Sequence, residues 1–549
     1  MSVKKIKCIT QSCSTEWLFV SLINWFLKLY HQDCGQSKLD YEWTQPITLT
    51  DLKGEQDLHE ACDLIVQEQI DVLAVSLYVW NRAKLFNLVQ QLKLKLPNLV
   101  VVIGGPEVEA HRDPGFFKKE NFIDYAVYGD GEIAFSRLLD HLAGYPAELI
   151  NLVDGSGKVY PHEVFMDREI FSKSIILKFQ EEIRQYFNTT KEKAKIYAPD
   201  VQLATTWETT KGCAFKCSFC DWSSGLHNKV RIWGKGELDP PWKKELLFFT
   251  ELGIKGIYWT NANIGMSFHD EDIVNFWCDL KLSNPDAPVC VWPSMSKKNK
   301  QKTFKLIDKM LESNVVQSCR FDLQDLDPVV LNNIDRPEIP WEEHRVLIQD
   351  LLARRQDKLF RAKQDPFFLN AHLIWGLPGQ TLNHWHHNAR EVIPLGLFPY
   401  YQPFELLPNS PAANIEYQKK FNIKTKKIKL DNREFFTVTE SLSMTEKEWF
   451  TGMLLMLVLN KLTNITSTMA HTVTNADSLV YNNFATHNID IDALFFNFIK
   501  WDEIINDSYS FFQKTNEVSL RLRDQEIPLM IDEKIQKVFF RKLGQKPMI

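Results

Sequence analysis

Cys213, Cys217 and Cys220 lie in the run Lys211-Gly-Cys-Ala-Phe-Lys-Cys-Ser-Phe-Cys220, a C-x3-C-x2-C spacing. Three thiolates on one short loop can each ligate one iron of a cubane 4Fe–4S cluster, which leaves the fourth iron without a protein ligand. An iron open to a small molecule is what a catalytic centre needs. A structural zinc site instead closes on four ligands. His227 would be the fourth here, but C-x3-C-x2-C-x6-H is not a familiar zinc spacing. The triplet His384, His386 and His387 also offers imidazoles. It follows a loop and opens a helix, where neighbouring positions point in different directions, and it reads as a solvated helix start.

A cysteine loop needs elements to hold it. Upstream, residues 1–145 alternate strand and helix signals. Val72–Leu77 and Leu99–Ile103 are short apolar runs, as buried parallel strands are, and Ile123–Tyr128 is a third. Leu85, Leu88, Val89 and Leu92 recur at helical spacing. The pattern predicts an α/β, doubly wound, Rossmann-like domain whose ligand edge is the loops after the strands: Ser76–Arg82, Gly104–Glu107 and Tyr128–Glu132. Glycine in those loops lets backbone come close to a ligand. Residues 146–200 read as a connector, with a hairpin-like turn at Asp154–Gly157 and a polar stretch from Phe179 to Tyr197. Residues 201–412 return to β/α units. Their strands are Val201–Thr206, leading into the cysteine loop, then Ile257–Thr260, Ser318–Gln324 and Asn370–Trp375. Such repeats carry functional groups at strand C-termini and describe a barrel or partial barrel. Residues 413–549 read as a mainly helical cap, with Lys424–Lys429 a solvated loop and Thr445–Glu448 a capping box before the apolar run Trp449–Leu459.

Composition narrows the class. The 549 residues are 44% hydrophobic and 24% charged, as in a soluble globular protein of several domains. A net charge of −6 leaves no basic footprint for nucleic acid. Trp449–Leu459 is the longest apolar run and is too short to span a bilayer. Met-Ser-Val-Lys-Lys-Ile does not read as a signal peptide. The ten cysteines show no disulfide framework, which points to a reducing cytoplasm. Cys8, Cys13, Cys34, Cys62, Cys278, Cys290 and Cys319 read as small buried residues.

The cysteine run resembles the signature of the radical S-adenosylmethionine superfamily, with Phe219 in the place of the aromatic residue near the adenine. A Rossmann-like domain directly before such a loop resembles the cobalamin-binding module of the cobalamin-dependent members. Ser76–Asn81, Val102–Glu107 and Tyr128–Glu132 are similar to that family's strand-end loops. The resemblance implies cobalamin held by Tyr78, Val79, Trp80, Gly104, Gly105, Glu107, Gly129, Gly131 and Glu132. The D-x-H-x-x-G motif is absent. The resemblance therefore implies cobalt without a protein histidine, its lower face open or covered by Tyr78, Val79 or Trp80.

Downstream, Asn261–Met266, Asp322–Pro328 with Arg336, and Ile374–Thr381 resemble the family's S-adenosylmethionine-binding segments. They imply Asn261, Asn263, Gln324, Arg336 and Gly376 as its contacts. Gln380 stands where the family usually has Glu, and is expected to add one neutral hydrogen bond worth about 1 kcal/mol. Glu405–Pro411 resembles the barrel-exit segment, and the resemblance implies a partial (β/α)6 barrel over residues 201–412. Cys8, Cys34 and Cys62 are spaced too closely for the second cluster of a methylthiotransferase.

The resemblance implies reductive cleavage of S-adenosylmethionine at the open iron, hydrogen abstraction from an unactivated carbon, and methyl transfer through cobalamin. Catalytic acid or base residues are not assigned. The expected partners are a peptide or small-molecule substrate and a flavodoxin- or ferredoxin-type electron donor, with no nucleic acid and no membrane. Two alternatives stay open: a non-methylating enzyme of the superfamily with silent cobalamin, and a non-enzymatic iron or redox sensor.

Overall fold

Alternating apolar residues on the first strands bury both faces of one sheet. In this computed structural model, the described residues are 3–12, 17–50, 55–164, 174–197, 201–223, 230–232, 240–291, 293–295, 300–316, 319–337, 340–354, 369–395, 397–430, 433–473, 491–523 and 525–526. They form two compact units. The first comprises Met1–Phe215, Asp221–Ala262 and Asn275–Val291, the second Lys216–Cys220, Asn263–Val274 and Trp292–Ile549.

The first unit holds a seven-stranded sheet. Its order is β3 (Tyr41–Trp43), β1 (Lys4–Gln11), β5 (Val72–Ser76), β6 (Val100–Gly104), β7 (Tyr125–Val127) and β8 (Leu152–Asp154), with β4 (Ile47–Leu49) also on β1. All pairs are parallel except β7–β8. Ile9, Leu73, Val75, Val101 and Ile103 pack on one face against Leu58, Ile65, Leu85 and Leu88 of the helices Glu55–Gln67 and Arg82–Lys95. Ile6, Cys8, Val72, Ala74 and Val102 pack on the other against Leu27, Leu138 and Leu139 of Ile23–Cys34 and Gly131–Leu142. The double winding follows from this alternation. The sheet runs on past residue 145, because β8 pairs with β7, and the Asp154–Gly157 turn after it brings Val159 back onto Val153. The polar stretch after it is an 18-residue helix, Gln180–Tyr197, with Ile183, Tyr186, Phe187 and Ala194 buried. Its charged surface hides that narrow apolar stripe in the sequence.

A second parallel sheet of this unit has the order β13 (Val289–Cys290), β12 (Gly256–Trp259), β9 (Gln202–Trp207), β2 (Trp17–Val20). Strand β2 comes from the N-terminal region yet extends the sheet that leads into the cysteine loop. A two-residue hairpin, β10 (Thr210–Lys211) with β11 (Arg231–Ile232), follows β9.

The second unit has the parallel sheet β14 (Cys319–Gln324), β15 (Leu369–Trp375), β16 (Phe398–Pro403). Lys424–Lys429, expected as a solvated loop, lies in β17 (Lys424–Leu430), which pairs antiparallel with β18 (Arg433–Glu440). Only Ile428 of that stretch is buried, so a single apolar residue carried the strand signal. The Thr445/Glu448 capping box is present, and Trp449, Phe450, Met453 and Leu454 are buried in the helix Glu446–Val473. His386 is not solvated as expected. Its Nε2 lies 2.7 Å from Asp492 and its ring stacks on Phe495 at 4.5 Å. Cys34 is exposed, while Cys8, Cys62, Cys278 and Cys290 are buried as expected. The Cys319 side chain, Cys13 and the alternative zinc ligand His227 lie outside the described residues. Among the described residues no helix is long and apolar enough to cross a membrane.

Candidate functional site

The approach to the cysteines is built in the first unit. Strand β9 ends at Trp207, and the turn after it would leave backbone N–H groups unpaired. Asn261 satisfies them: its Oδ1 accepts from Thr209 and Thr210 N–H, both at 2.9 Å, and its Nδ2 donates to Thr209 Oγ1 at 2.8 Å. Trp259 Nε1 donates to the same hydroxyl at 3.0 Å. Asn261 is buried with its amide fully engaged. These bonds hold the turn that leads into the cysteine loop, a role beside the expected contact with S-adenosylmethionine. Cys213 is buried just beyond.

Cys217 and Cys220 are held in the second unit. Cys220 N–H donates to Cys217 O at 3.1 Å. Between them, buried Ser218 donates its N–H to Ile334 O at 3.1 Å and accepts Ala412 N–H at 2.8 Å. Tyr417 donates its hydroxyl to Asn333 O at 2.9 Å, and Ser218 Oγ meets that hydroxyl at 2.9 Å. Burial pushes the Tyr417 phenol up to about 12, so it stays a neutral donor. Phe219 and Cys220 remain half-buried. Ser218 and Tyr417 were missed in the sequence, since nothing local joins residues so far apart.

The end of β14 carries the clearest sign of a ligand site. The strand shifts register between Asp322 and Gln324. Gln324 has φ +65°, a left-handed backbone that costs a non-glycine residue free energy. Its side chain is buried, and Oε1 has no hydrogen-bond partner among the described residues. An orphaned buried acceptor calls for a donor from outside the chain. Next to it, fully buried Asp325 accepts from Gln380 Nε2 at 2.6 Å, Asn388 Nδ2 at 2.9 Å and Asp327 N–H at 2.7 Å. Burial raises the Asp325 carboxyl above its ordinary value.

Gln380 is not the minor contributor expected of it. It also donates to Ile374 O at 2.8 Å and accepts from Gly376 and Leu377 N–H at 2.9 and 2.8 Å. Its chemistry follows from Asp325: a glutamate there would set two buried carboxylates side by side, and both could not ionise. Gly376 is a glycine because a Cβ would come 3.1 Å from Val438 O at φ +105°, a packing demand. Asn263 is half-buried, and its carbonyl accepts Met266 N–H in a turn fixed by Asp270 through Gly265 and Ser267 N–H. Arg336 is buried just after Asn333 and Ile334. One face of the β14–β16 sheet is polar, a feature missed in the sequence although the strands alternate. Arg320 Nε lies 2.9 Å from Asp322, which pairs in register with His372, which pairs with Tyr400 at a ring distance of 4.9 Å.

At the strand ends of the first sheet, Tyr78 stacks on Trp80 at 4.5 Å and 9°, beside Val79. Asn81, unnoticed in the sequence, shapes this loop by accepting Tyr78 N–H at 2.8 Å and donating to Ser76 O at 3.0 Å. Gly105 has φ +106°, and a Cβ would sit 2.4 Å from Leu77 O. Gly104 is open: the nearest atom to an added Cβ is Val127 O at 3.9 Å. Glu107 faces Arg82 at 3.9 Å. Gly129 has φ +71°, and Gly131 starts the helix that carries Glu132. Glu132 Oε1 accepts from Lys211 Nζ at 2.6 Å, while Oε2 is buried with no hydrogen-bond partner among the described residues. His111 stacks on Tyr128 at 4.5 Å. Burial and Arg112 lower it to about 4, so it is neutral at pH 7.

These features define a class: a doubly wound domain with an open glycine edge, followed by β/α repeats whose first strand leads into a three-cysteine loop. Comparison with known proteins agrees. Residues 45–139 match the family model described as B12 binding domain. The chain is 26% identical to the cobalamin-dependent radical SAM methyltransferase TokK of Streptomyces tokunonensis over 419 residues, 75% of this chain and 57% of that one. It is 25% identical to the 2-(S-pantetheinyl)-carbapenam-3-carboxylate methyltransferase of Streptantibioticus cattleyicolor over 414 residues, 74% of this chain and 56% of that one. The chain thus spans less than two thirds of the length of these relatives. Its fold is that of the cobalamin-dependent S-adenosylmethionine radical enzyme OxsB, with TM-score 0.61 at 13% identity, covering 98% of this chain and 78% of that one. The radical S-adenosylmethionine methyltransferase TsrM of Kitasatospora setae matches with TM-score 0.55 at 12% identity, covering 91% of this chain and all of that one.

Proposed function

We propose that this chain is a cobalamin-dependent radical S-adenosylmethionine methyltransferase acting on an unactivated carbon. The observation that carries the reading is the pairing, in one chain, of a B12-binding match with a C-x3-C-x2-C loop after the first strand of a β/α repeat. The residue types suit the implied groups, although among the described residues no three Cys, His, Asp or Glu side chains are gathered closely enough to hold a metal ion. Cys213, Cys217 and Cys220 supply three thiol donors, the set that leaves one iron of a 4Fe–4S cluster open. Gln324 Oε1 awaits a donor, which the ammonium or hydroxyls of S-adenosylmethionine provide. Gly104 is open to a corrin edge, and Glu132 Oε2 suits one of its side-chain amides.

When bound, these groups supply one-electron cleavage of S-adenosylmethionine and a transferable methyl group. The chain positions them. Asn261, Ser218 and Tyr417 fix the cysteine loop. Phe219 would hold the adenine and Asn263, Gln324 and Arg336 the methionine end of S-adenosylmethionine, while Tyr78, Val79 and Trp80 would be the loop residues that hold cobalamin. The polar face of β14–β16 favours a polar small molecule or peptide as substrate. A reduced flavodoxin or ferredoxin in a reducing cytoplasm supplies the electron.

The test is turnover of the anaerobically reconstituted protein with methyl-labelled S-adenosylmethionine. A product that gains one labelled methyl group supports the reading. Cleavage of S-adenosylmethionine with a rearranged, unlabelled product supports the non-methylating alternative. Nitrogen splitting from a protein imidazole in the cob(II)alamin spectrum would assign the lower face to a histidine such as His111 instead of the aromatic stack.

A further inference from the structure

The short strands β10 and β11 bracket the cysteine-bearing segment in the sequence, and Lys211 and Arg231 are direct register partners in that pair. Both cations reach the same target, the Gly129-Asp-Gly-Glu132 loop at the end of β7. Lys211 Nζ lies 2.6 Å from Glu132 Oε1 and 3.4 Å from Asp130 Oδ1. Arg231 grips both oxygens of Asp130. Asp130, Glu132 and Arg231 keep only 4, 8 and 6% of their surface exposed. Buried charges at this density persist only when each is paired, and removing one partner strands the other.

We infer that Lys211 and Arg231 are positioning residues that clamp the stem of the cysteine loop to the third strand-end loop of the B12-matching domain, with Glu132 as the joint. One carboxylate oxygen of Glu132 holds Lys211. The other, buried and without a partner among the described residues, is left for an amide N–H of the corrin periphery. The cobalamin pocket is therefore shaped in part by two residues outside residues 45–139. Asp130 and Glu132 are matched by two cations, and burial holds the neighbouring Glu208 carboxyl toward its neutral form. The inference rests on the proposed use of cobalamin. It does not rest on methyl transfer, because its readout is binding.

The experiment is titration of aquocobalamin into the full-length protein, followed by the corrin absorbance, with thermal unfolding recorded on each variant. Lys211→Met and Arg231→Met are expected to weaken cobalamin binding about tenfold, within the usual span of a coupling between sites. The charge swap Arg231→Asp with Asp130→Arg keeps the net charge and leaves Glu132 in place, and should recover part of the loss relative to Arg231→Asp alone. Lys93→Met provides the control: it breaks the 2.7 Å pair with Asp124 in the same domain, away from these loops. It should lower stability without a comparable loss of affinity. Unchanged affinity in folded Lys211→Met, or an equal loss in Lys93→Met, overturns the clamp. Failure of the wild-type protein to bind cobalamin at all would instead refute the functional reading beneath it.

Discussion

Two sites, one in each unit, hold buried carboxylates in opposite ways. In the first, Asp130 and Glu132 are neutralised by Lys211 and Arg231, full charge against full charge. In the second, Asp325 is held by the amides of Gln380 and Asn388 and one backbone N–H, with no cation bonded to it among the described residues. The ion-paired cluster joins a hairpin to a loop from distant parts of the chain, where charge gives a geometry that is costly to leave. The amide lock joins the end of β14 to the turn after β15 and to the helix Leu382–Val392 without charge on the partners, where Gln324 already carries backbone strain. The same residue type thus serves as a clamp in one place and a brace in the other, according to its partners.

The comparison breaks most visibly at Gln380. Gln380→Ala would strip one donor from buried Asp325 and orphan two backbone N–H groups, at a cost on the order of 3–5 kcal/mol. Chemical denaturation should show that loss, with weakened S-adenosylmethionine binding in the protein that remains folded. A cost near 1 kcal/mol would return Gln380 to the minor role first expected. Gln380→Glu sharpens the point. It adds a second carboxylate beside Asp325, and its destabilisation should grow as pH rises.

Asn261→Ala is the next largest effect. It leaves Thr209 and Thr210 N–H without their acceptor, roughly 2–3 kcal/mol, and should reduce iron retention after reconstitution. If Asn261 were chiefly a ligand contact, iron content would hold while S-adenosylmethionine affinity fell.

The smallest effect separates charged from neutral networks by pH. Burial first, and the neighbouring Glu132 and Asp130 charges, raise Glu208 to about 7 against the opposing pull of Lys211 and Arg231. A carboxyl raised in the folded state favours its protonated form. Its contribution to stability is present below the ordinary value of 4.5 and is lost as pH rises through about 7. Unfolding measured from pH 5 to 8 should show that decline, and Glu208→Gln should flatten it. An unchanged slope would remove Glu208 from the cluster.

Much of this was legible in the sequence, for physical reasons. Val72–Leu77 and Leu99–Ile103 announce buried parallel strands because both faces are covered. The cysteine spacing announces its chemistry because ligand number and loop length are local properties. What stayed hidden depends on distance. Short strands such as β3, β4, β8 and β13 have too few residues to show a period. Strand β2 changes sheets, which no local pattern encodes. Asn261 and Gln380 were placed in the right segments but given ligand roles or minor ones, because their actual partners, Thr209 and Asp325, lie about 50 residues away. Lys211 stood inside the quoted motif and was passed over for the cysteines, while its register partner Arg231 lies beyond the loop.

The central claim is that Cys213, Cys217 and Cys220 hold a cluster that cleaves S-adenosylmethionine. Anaerobic reconstitution of the wild-type protein and of the triple Cys→Ala variant, with iron content and 5′-deoxyadenosine formation measured on both, tests it directly. The wild-type protein should bind about four irons per chain and form 5′-deoxyadenosine under reduction, and the variant should do neither. A folded triple variant that keeps both its iron and its cleavage activity would contradict the account.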